Sequence, residues 1–422
     1  MIRKGVAGAA IAVLALGSFA YADDSAPSSD SQSPIATAIS PADFTLAPNY
    51  LQDQGTTTAP KRPLMALLDA AGVGQGLENL GINIYGYVEG GYMYDLQDPK
   101  TNSRGIPFLF DNQKNRGLLD QADIRVEKKV DPAANKWDIG GMFEFAYGHD
   151  IQFIHSHGNF DTQTPDNQYD IVQAYVDIGV PLGNGLRVRI GKFVTLLGYE
   201  TIDPTGNPLY SHSYAFNAIP FTHTGVLGTY VLNSQWQVTA GITRGWDQSL
   251  KDNNGDPDFL GNIVFTPNTN LSITLNASVG PQRFHNDSDY RSALDLVVAD
   301  KISDQLTIGG EGLYEDDPHA VFHSNGQTYA GVLYASYAFN TVLALNLRGE
   351  FYESNFQQSG IGWTDHAEGT VGLGITPLPQ DPIFQFLKIR PEFRYDYANG
   401  VKIDVPGRNH LVTVAVDAIM EY

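Results

Sequence analysis

From Ile82 onward the chain alternates. Segments of roughly ten residues set apolar and polar side chains on opposite faces, the period of two that marks a strand with two different surroundings. In the first, Ile82, Ile84, Val88 and Tyr92 share a face with Gly86 and Gly90, while Asn83, Tyr85, Tyr87 and Glu89 take the other. Trp137, Ile139, Phe143, Phe145 and Tyr147 stand opposite Asp138 and Glu144, and Leu186, Val188 and Ile190 stand opposite Arg187 and Arg189. Late in the chain, Leu387, Ile389, Phe393, Tyr395 and Tyr397 alternate with Lys388, Arg390, Glu392, Arg394 and Asp396. Charges spaced so regularly on one face do not suit a soluble sandwich, whose inner face must be dry.

The pattern yields about 16 segments, and their connections alternate in length. Short turns fall at Asp131-Pro132, Pro181–Asn184, Leu232–Gln235, Pro267–Thr269, Ser303-Asp304, Asn340-Thr341 and Pro377–Gln380. Between them lie longer polar loops at Asp95–Gly117, Gly148–Asn167, Thr195–Pro220, Trp246–Pro257, Pro281–Tyr290, Glu315–Gln327, Glu353–Thr364 and Ala398–Gly407. A propeller or sandwich has no such rule. The reading is an all-β, transmembrane, antiparallel up-and-down β-barrel over 81–422, with short periplasmic turns and long extracellular loops.

The amino-terminal stretch fits export. Arg3 and Lys4 precede an apolar run from Val6 to Leu16, and Ala20-Tyr21-Ala22 supplies a small-x-small cleavage pattern. The run is shorter than the roughly 20 residues a spanning helix needs, so 1–22 reads as a cleaved signal peptide. Residues 23–63, rich in Ser, Thr, Pro, Ala and Gln, read as a flexible periplasmic arm. The spacing of Leu64, Leu67, Leu68 and Ala71 predicts a short helical lead-in over 64–80, broken near Gly72. In the last segment Val412, Val414, Val416, Ala418, Met420 and Tyr422 face one way, Thr413, Asp417 and Glu421 the other. A terminal aromatic on such a strand resembles the assembly signal read by the barrel-insertion machinery, which makes Tyr422 its candidate residue.

Composition sharpens this picture. Of 422 residues, 17% are charged and 11% aromatic, and there is no cysteine, which excludes disulfides, thiol catalysis and Cys-ligated metals. The net charge of −21 speaks against nucleic acid, and a mean hydropathy of −0.21 excludes a helical membrane bundle but not a barrel. A barrel of this size leaves a water-filled lumen, so its partners are outer-membrane lipid and small hydrophilic solutes. The predicted lining residues are Glu89, Asp123, Arg125, Glu127, Glu144, Arg187, Arg189, Glu311, Arg348, Glu350, Lys388, Arg390, Glu392 and Arg394. Opposed charges across a constriction would set a transverse field, whereas pairing between adjacent strands is the plainer account for any one residue. With inward-facing Asp396 added, acids slightly exceed bases, a weak preference for cations.

The third long loop carries Tyr199, Glu200, Asp203, Tyr210, His212 and Tyr214. Its length, prolines and aromatics predict that it folds inward and narrows the pore, against the alternative of an external loop packed on its neighbours. Catalytic signals are weak. His155-Ser156-His157 offers two ligands without a third, no Gly-x-Ser-x-Gly elbow occurs, and Asp252–Asp256 misplaces its glycine for a calcium loop. No enzyme, cofactor or metal is expected. A homo-oligomer is left open.

Two patches carry a specific resemblance. Gly191-Lys192-Phe193-Val194-Thr195-Leu196-Leu197-Gly198-Tyr199-Glu200, continuing through Asn207-Pro208, Tyr210-Ser211, Tyr214 and Pro220–Val226, resembles the signature of the OmpL-like β-barrel porin family. Tyr85–Tyr92 is similar to that family's first strand, and Leu196 stands where it carries proline. The resemblance implies an outer-membrane porin of a Gram-negative bacterium, with no defined substrate. A barrel plugged by its own loops or arm, structural or adhesive in role, is the competing expectation.

Overall fold

The computed structural model describes residues 60–98, 109–110, 112–163, 166–321, 324–355, 364–399 and 407–422. The expected signal peptide and the arm as far as residue 59 lie outside the described residues. Sixteen strands follow in order: β1 (Asn83–Asp95), β2 (Arg116–Lys128), β3 (Asp138–Gly148), β4 (Gln168–Val180), β5 (Leu186–Val194), β6 (Thr222–Val231), β7 (Trp236–Thr243) and β8 (Asp258–Phe265) make the first half. The second half is β9 (Leu271–Arg283), β10 (Asn286–Lys301), β11 (Leu306–Val321), β12 (Ser324–Ala338), β13 (Leu343–Ser354), β14 (Thr364–Ile375), β15 (Leu387–Asn399) and β16 (His410–Glu421). Each pairs antiparallel with its sequence neighbours, and β1 pairs with β16 to close the barrel.

Alternation decides which way each side chain points. Val88, Phe143, Ile190, Leu347, Phe393 and Val416 stand exposed on the outside, as lipid-facing positions must. Their neighbours Glu89, Glu144, Arg348, Glu392, Arg394 and Asp417 are buried inside. The usual distribution of a folded chain is thus inverted, with the apolar surface outward and the charge inward. A bulge between Glu89 and Gly90 lets both Asp120 and Gln121 of β2 face the interior.

Two expected loops are largely strand. Over Pro281–Tyr290, β9 runs to Arg283 and β10 starts at Asn286, and over Glu315–Gln327, β11 runs to Val321 and β12 starts at Ser324. Beyond the lipid both faces of a strand meet polar surroundings, so the hairpin continues where the hydrophobic alternation has ended. The expected turn at Pro377–Gln380 is part of a longer connection. Asp381 N–H closes onto Leu378 O, and a 3-10 turn at Phe384–Phe386 follows before β15.

The lead-in forms two helices, α1 (Pro63–Ala70) and α2 (Gly74–Asn79), at the short-turn end of the barrel. Pro63 opens α1 at the position where a missing N–H costs nothing. Arg62 lies 4.2 Å from the centroid of the Tyr85 ring and 3.5 Å from Glu421, which ties this end to the β1–β16 seam. Tyr422 finishes the seam: it exchanges two backbone hydrogen bonds with Gly86, and its hydroxyl donates to Asp123 O at 2.6 Å. A Cβ at Gly86 would collide with Asp123 O and meet the Tyr422 ring, so this closure requires glycine.

Tyr422→Phe is expected to lower barrel stability by about 1 kcal/mol, the worth of one hydrogen bond, and Tyr422→Ala by more because the ring over Gly86 is also lost. Urea unfolding followed by the band shift of unheated samples on gels measures both. Equal midpoints for Tyr422→Ala and the parent chain would contradict this account of closure.

Candidate functional site in the barrel lumen

The longest connection, 195–221, leaves β5 and returns to β6 through a single neck, where Thr195 N–H donates to Phe221 O at 2.9 Å. Gly198, at φ +93°, supplies the left-handed turn that sends the chain inward. Asp203 caps a 3-10 turn at Pro204–Gly206 by accepting from Thr205 N–H, and Ser213 caps the short helix α3 (Tyr214–Ala218) by accepting from Phe216 N–H at 3.1 Å. The loop therefore brings its own local structure to the lumen.

Its anchors lie half a ring away from β5, on β13 to β15. Arg390 engages all three nitrogens: Nε and Nη2 grip Asp417, Nη2 also donates to Glu89 at 2.9 Å, and Nη1 donates to the carbonyls of Pro204, Asn207 and Leu209 at 3.0, 2.7 and 2.9 Å. Arg348 binds Glu368 and Glu200, each at 2.7 Å, and donates to Ser211 O. Arg394 binds Asp396 and donates to His212 O. Wall carboxylates take the loop's free N–H groups: Glu392 accepts from Tyr210 and Ser211, and Glu350 from Tyr214 and Ala215. Lys388 Nζ donates to Thr205 O at 3.2 Å. On β2, Arg125 binds Asp123, Asp203 and Glu144, so the loop is held there too. A loop fixed at β2, β13 and β15 while rooted at β5 and β6 crosses the lumen.

The other side of the crossing is apolar. Leu197, Ala215 and Ile219 pack with inward-facing Leu227, Leu260, Ala293, Leu313, Ala330 and Val332. Tyr199 stacks on Tyr334 with ring centroids 4.1 Å apart. Tyr210 donates to Asp120 at 3.2 Å and Tyr214 to Asp396 at 2.9 Å. His212 stacks on Phe216 at 4.1 Å, and burial pushes its pKa down to about 4, so it is neutral near pH 7. Burial works to raise the Glu200 and Asp203 carboxyls, but the guanidinium groups of Arg348 and Arg125 prevail and hold both below the usual range.

The loop thus gathers Glu89, Asp123, Arg125, Glu144, Glu311, Arg348, Glu350, Lys388, Arg390, Glu392 and Arg394 into one network. The other three predicted lining residues have partners on the neighbouring wall. Arg189 pairs with Asp177 at 2.9 Å on both arms and lies over Tyr175, Glu127 accepts from Tyr85 at 2.8 Å, and Arg187 reaches Thr229 at 3.5 Å. Sequence reasoning missed Glu368 and Asp295 as candidates, and it missed the apolar inner patch. Glu368 sits among Ala367, Gly369 and Thr370, where contrast between faces is low, whereas adjacent Val226 and Leu227 mark apolar character on both faces. His155 and His157 do not converge: His155 lies 3.4 Å from Asp161, and His157 packs edge-on against Phe284.

Solved structures resemble this architecture. The outer membrane channel DcaP of Acinetobacter baumannii matches with a TM-score of 0.55 at 13% identity, covering 81% of this chain and 97% of that one. An anion-selective porin from Comamonas acidovorans matches at 0.51 and 10% identity, covering 81% and 99%. Salmonella typhi OmpF, in complex with daunomycin, matches at 0.52 and 10% identity, covering 82% and 99%. No curated protein sequence matches the chain significantly. The profile described as "Putative beta-barrel porin-2, OmpL-like" matches residues 81–422, the whole barrel, and the chain therefore belongs to this porin family.

Proposed function

We propose that the protein is an outer-membrane porin for passive diffusion of small hydrophilic solutes and ions, with 195–221 as its constriction. The observation that carries this reading is the clamp of Arg348, Arg390 and Arg394 on the loop backbone, which holds a fixed segment across the lumen. In a water-filled barrel, the narrowest cross-section sets both conductance and selectivity. Away from the loop, short neutral side chains such as Thr229, Thr239, Asn262 and Thr274 face inward and are buried, adding no charge to the lumen. Most inward arginines are already matched by carboxylates, so the remaining acids give a weak preference for cations. Short turns face the periplasm and the long connections face outward.

A second reading has its own support. Arg390 is 1% exposed and Arg394 0%, which is tighter than an open pore wall requires. On that reading the loop closes the barrel, and the resting molecule is structural.

Single-channel recording in a planar bilayer separates the two. The porin reading predicts stable open steps and a reversal potential of cation-selective sign across a salt gradient. Silence from inserted, folded protein would sink it in favour of the closed barrel. Arg390→Ala leaves Asp417 and Glu89 buried without their counter-charge, a local cost of about 3–5 kcal/mol. This substitution is expected to loosen the loop and give larger, noisier steps. Conductance identical to the parent would contradict the constriction.

A further inference from the structure

At the foot of the β1–β16 seam a helix takes over from a strand. Gly86 N–H donates to Tyr422 O, so Ile84 N–H, two residues earlier on β1, points the same way, past the end of β16. The sulfur of buried Met65 in α1 receives it at 3.4 Å. Arg62, at the start of α1, lies on the lumen side, over the inward-facing Tyr85 ring and beside Glu421. Helical spacing puts Leu64, Leu67 and Ala71 on the opposite side of the helix from Arg62 and Asp69. The helix therefore stands in line with the barrel wall, its charged side toward the lumen and its apolar side away from it. Leu67 is 66% exposed there.

The following turn adds to that surface. Val73, Leu77 and Leu80 share a face at i, i+4 and i+7, with Val73 51% and Leu80 62% exposed. Gln75, on the other face, bonds to Asn79. Continuity with the barrel's lipid-facing band shows what covers these residues. Gly81, next to Leu80, lies against the Lys128 side chain, where an added Cβ would be 3.7 Å from Lys128 Cε. Lys128 in turn bonds to Asp138 and to the carbonyl of Ile139, whose side chain is 64% exposed on the outside of β3. The other short turns point the same way. Leu182, Ile302, Phe339 and Leu378 lie outside the strands and are at least half exposed, which suits a rim set in lipid rather than standing clear in water.

We infer that the outward apolar faces of α1 and α2 lie in the phospholipid leaflet at the short-turn end of the barrel. An amphipathic helix lying in the headgroup boundary is held by the apolar area it buries there. Seated in this way, α1 holds Arg62 over Tyr85, so the lipid surface fixes a cation at the entrance of the lumen. The inference needs the barrel to span a membrane and does not depend on whether the lumen conducts.

The chain has no cysteine, so single nitroxide labels can be placed in full-length protein reconstituted into phosphatidylethanolamine–phosphatidylglycerol liposomes. Labels at Leu67→Cys and Leu80→Cys are expected to collide more with molecular oxygen than with a water-soluble nickel chelate present on both sides, as a label at Ile139→Cys does. At Gln75→Cys the order is expected to reverse. In L67D/L80D, with folding checked by the gel band shift, a label at Val73→Cys is expected to change from oxygen-dominated to chelate-dominated collisions. Chelate-dominated collisions at both Leu67→Cys and Leu80→Cys overturn the proposal. Spin–spin broadening at Leu67→Cys that vanishes on dilution with unlabelled chain also overturns it, and assigns the face to a second copy of the chain.

Discussion

The interior of this barrel depends on arginine. A guanidinium is planar, always charged and carries its donors in a fixed fork, so one side chain can satisfy a wall carboxylate and a set of loop carbonyls together. Arg390 does this with Asp417, Glu89 and three carbonyls of the loop. Arg348 and Arg394 repeat it further along the loop, on the carbonyls of Ser211 and His212. A lysine in any of these places would offer a point charge without the fork. The alternatives for a segment lying inside a barrel are bare backbone polar groups or water, and bare groups are costly.

The rest of the loop's placement follows from that constraint. Irregular chain has no ladder to occupy its N–H and C=O groups, so the walls must act as the ladder. Arginines on β13 and β15 meet the carbonyls, and Glu350 and Glu392, between them, meet the amides. Opposite, where the wall presents Leu227, Leu260 and Leu313, the loop turns apolar side chains outward instead. The same segment is thus fixed by polar matching on one side and by exclusion of water on the other, and this two-sided fit gives it a single position.

Much of this was legible in the chain, because a barrel reports its two surroundings at every second residue. Ile389, Phe393 and Tyr395 against Arg390, Glu392 and Arg394 is enough to orient β15, and such segments count to the observed sixteen strands. The strand ends were less visible. At Pro281–Tyr290 and Glu315–Gln327 the lipid no longer sorts the faces, and the pairing that continues there is carried by backbone bonds that leave no hydropathy signal. The partners of the inward charges were also hidden. Period two shows that Arg348 points inward but not that Glu200, far off in sequence, comes to meet it. Inward Leu227 and Leu260 broke the polar-inside expectation because they face the loop and not water.

The central claim is that 195–221 spans the lumen and docks on the far wall, and a cross-link between the two tests it most directly. The chain has no cysteine, so a pair can be placed without background. Leu209, in the loop, touches the position a side chain at Gly372 of β14 would occupy. In the L209C/G372C chain the account predicts an intramolecular disulfide, seen by mass spectrometry of the linked peptides from protein isolated in native membranes. Free thiols at both positions, modified by a bulky reagent added outside intact cells, would contradict it and place the loop outside the barrel.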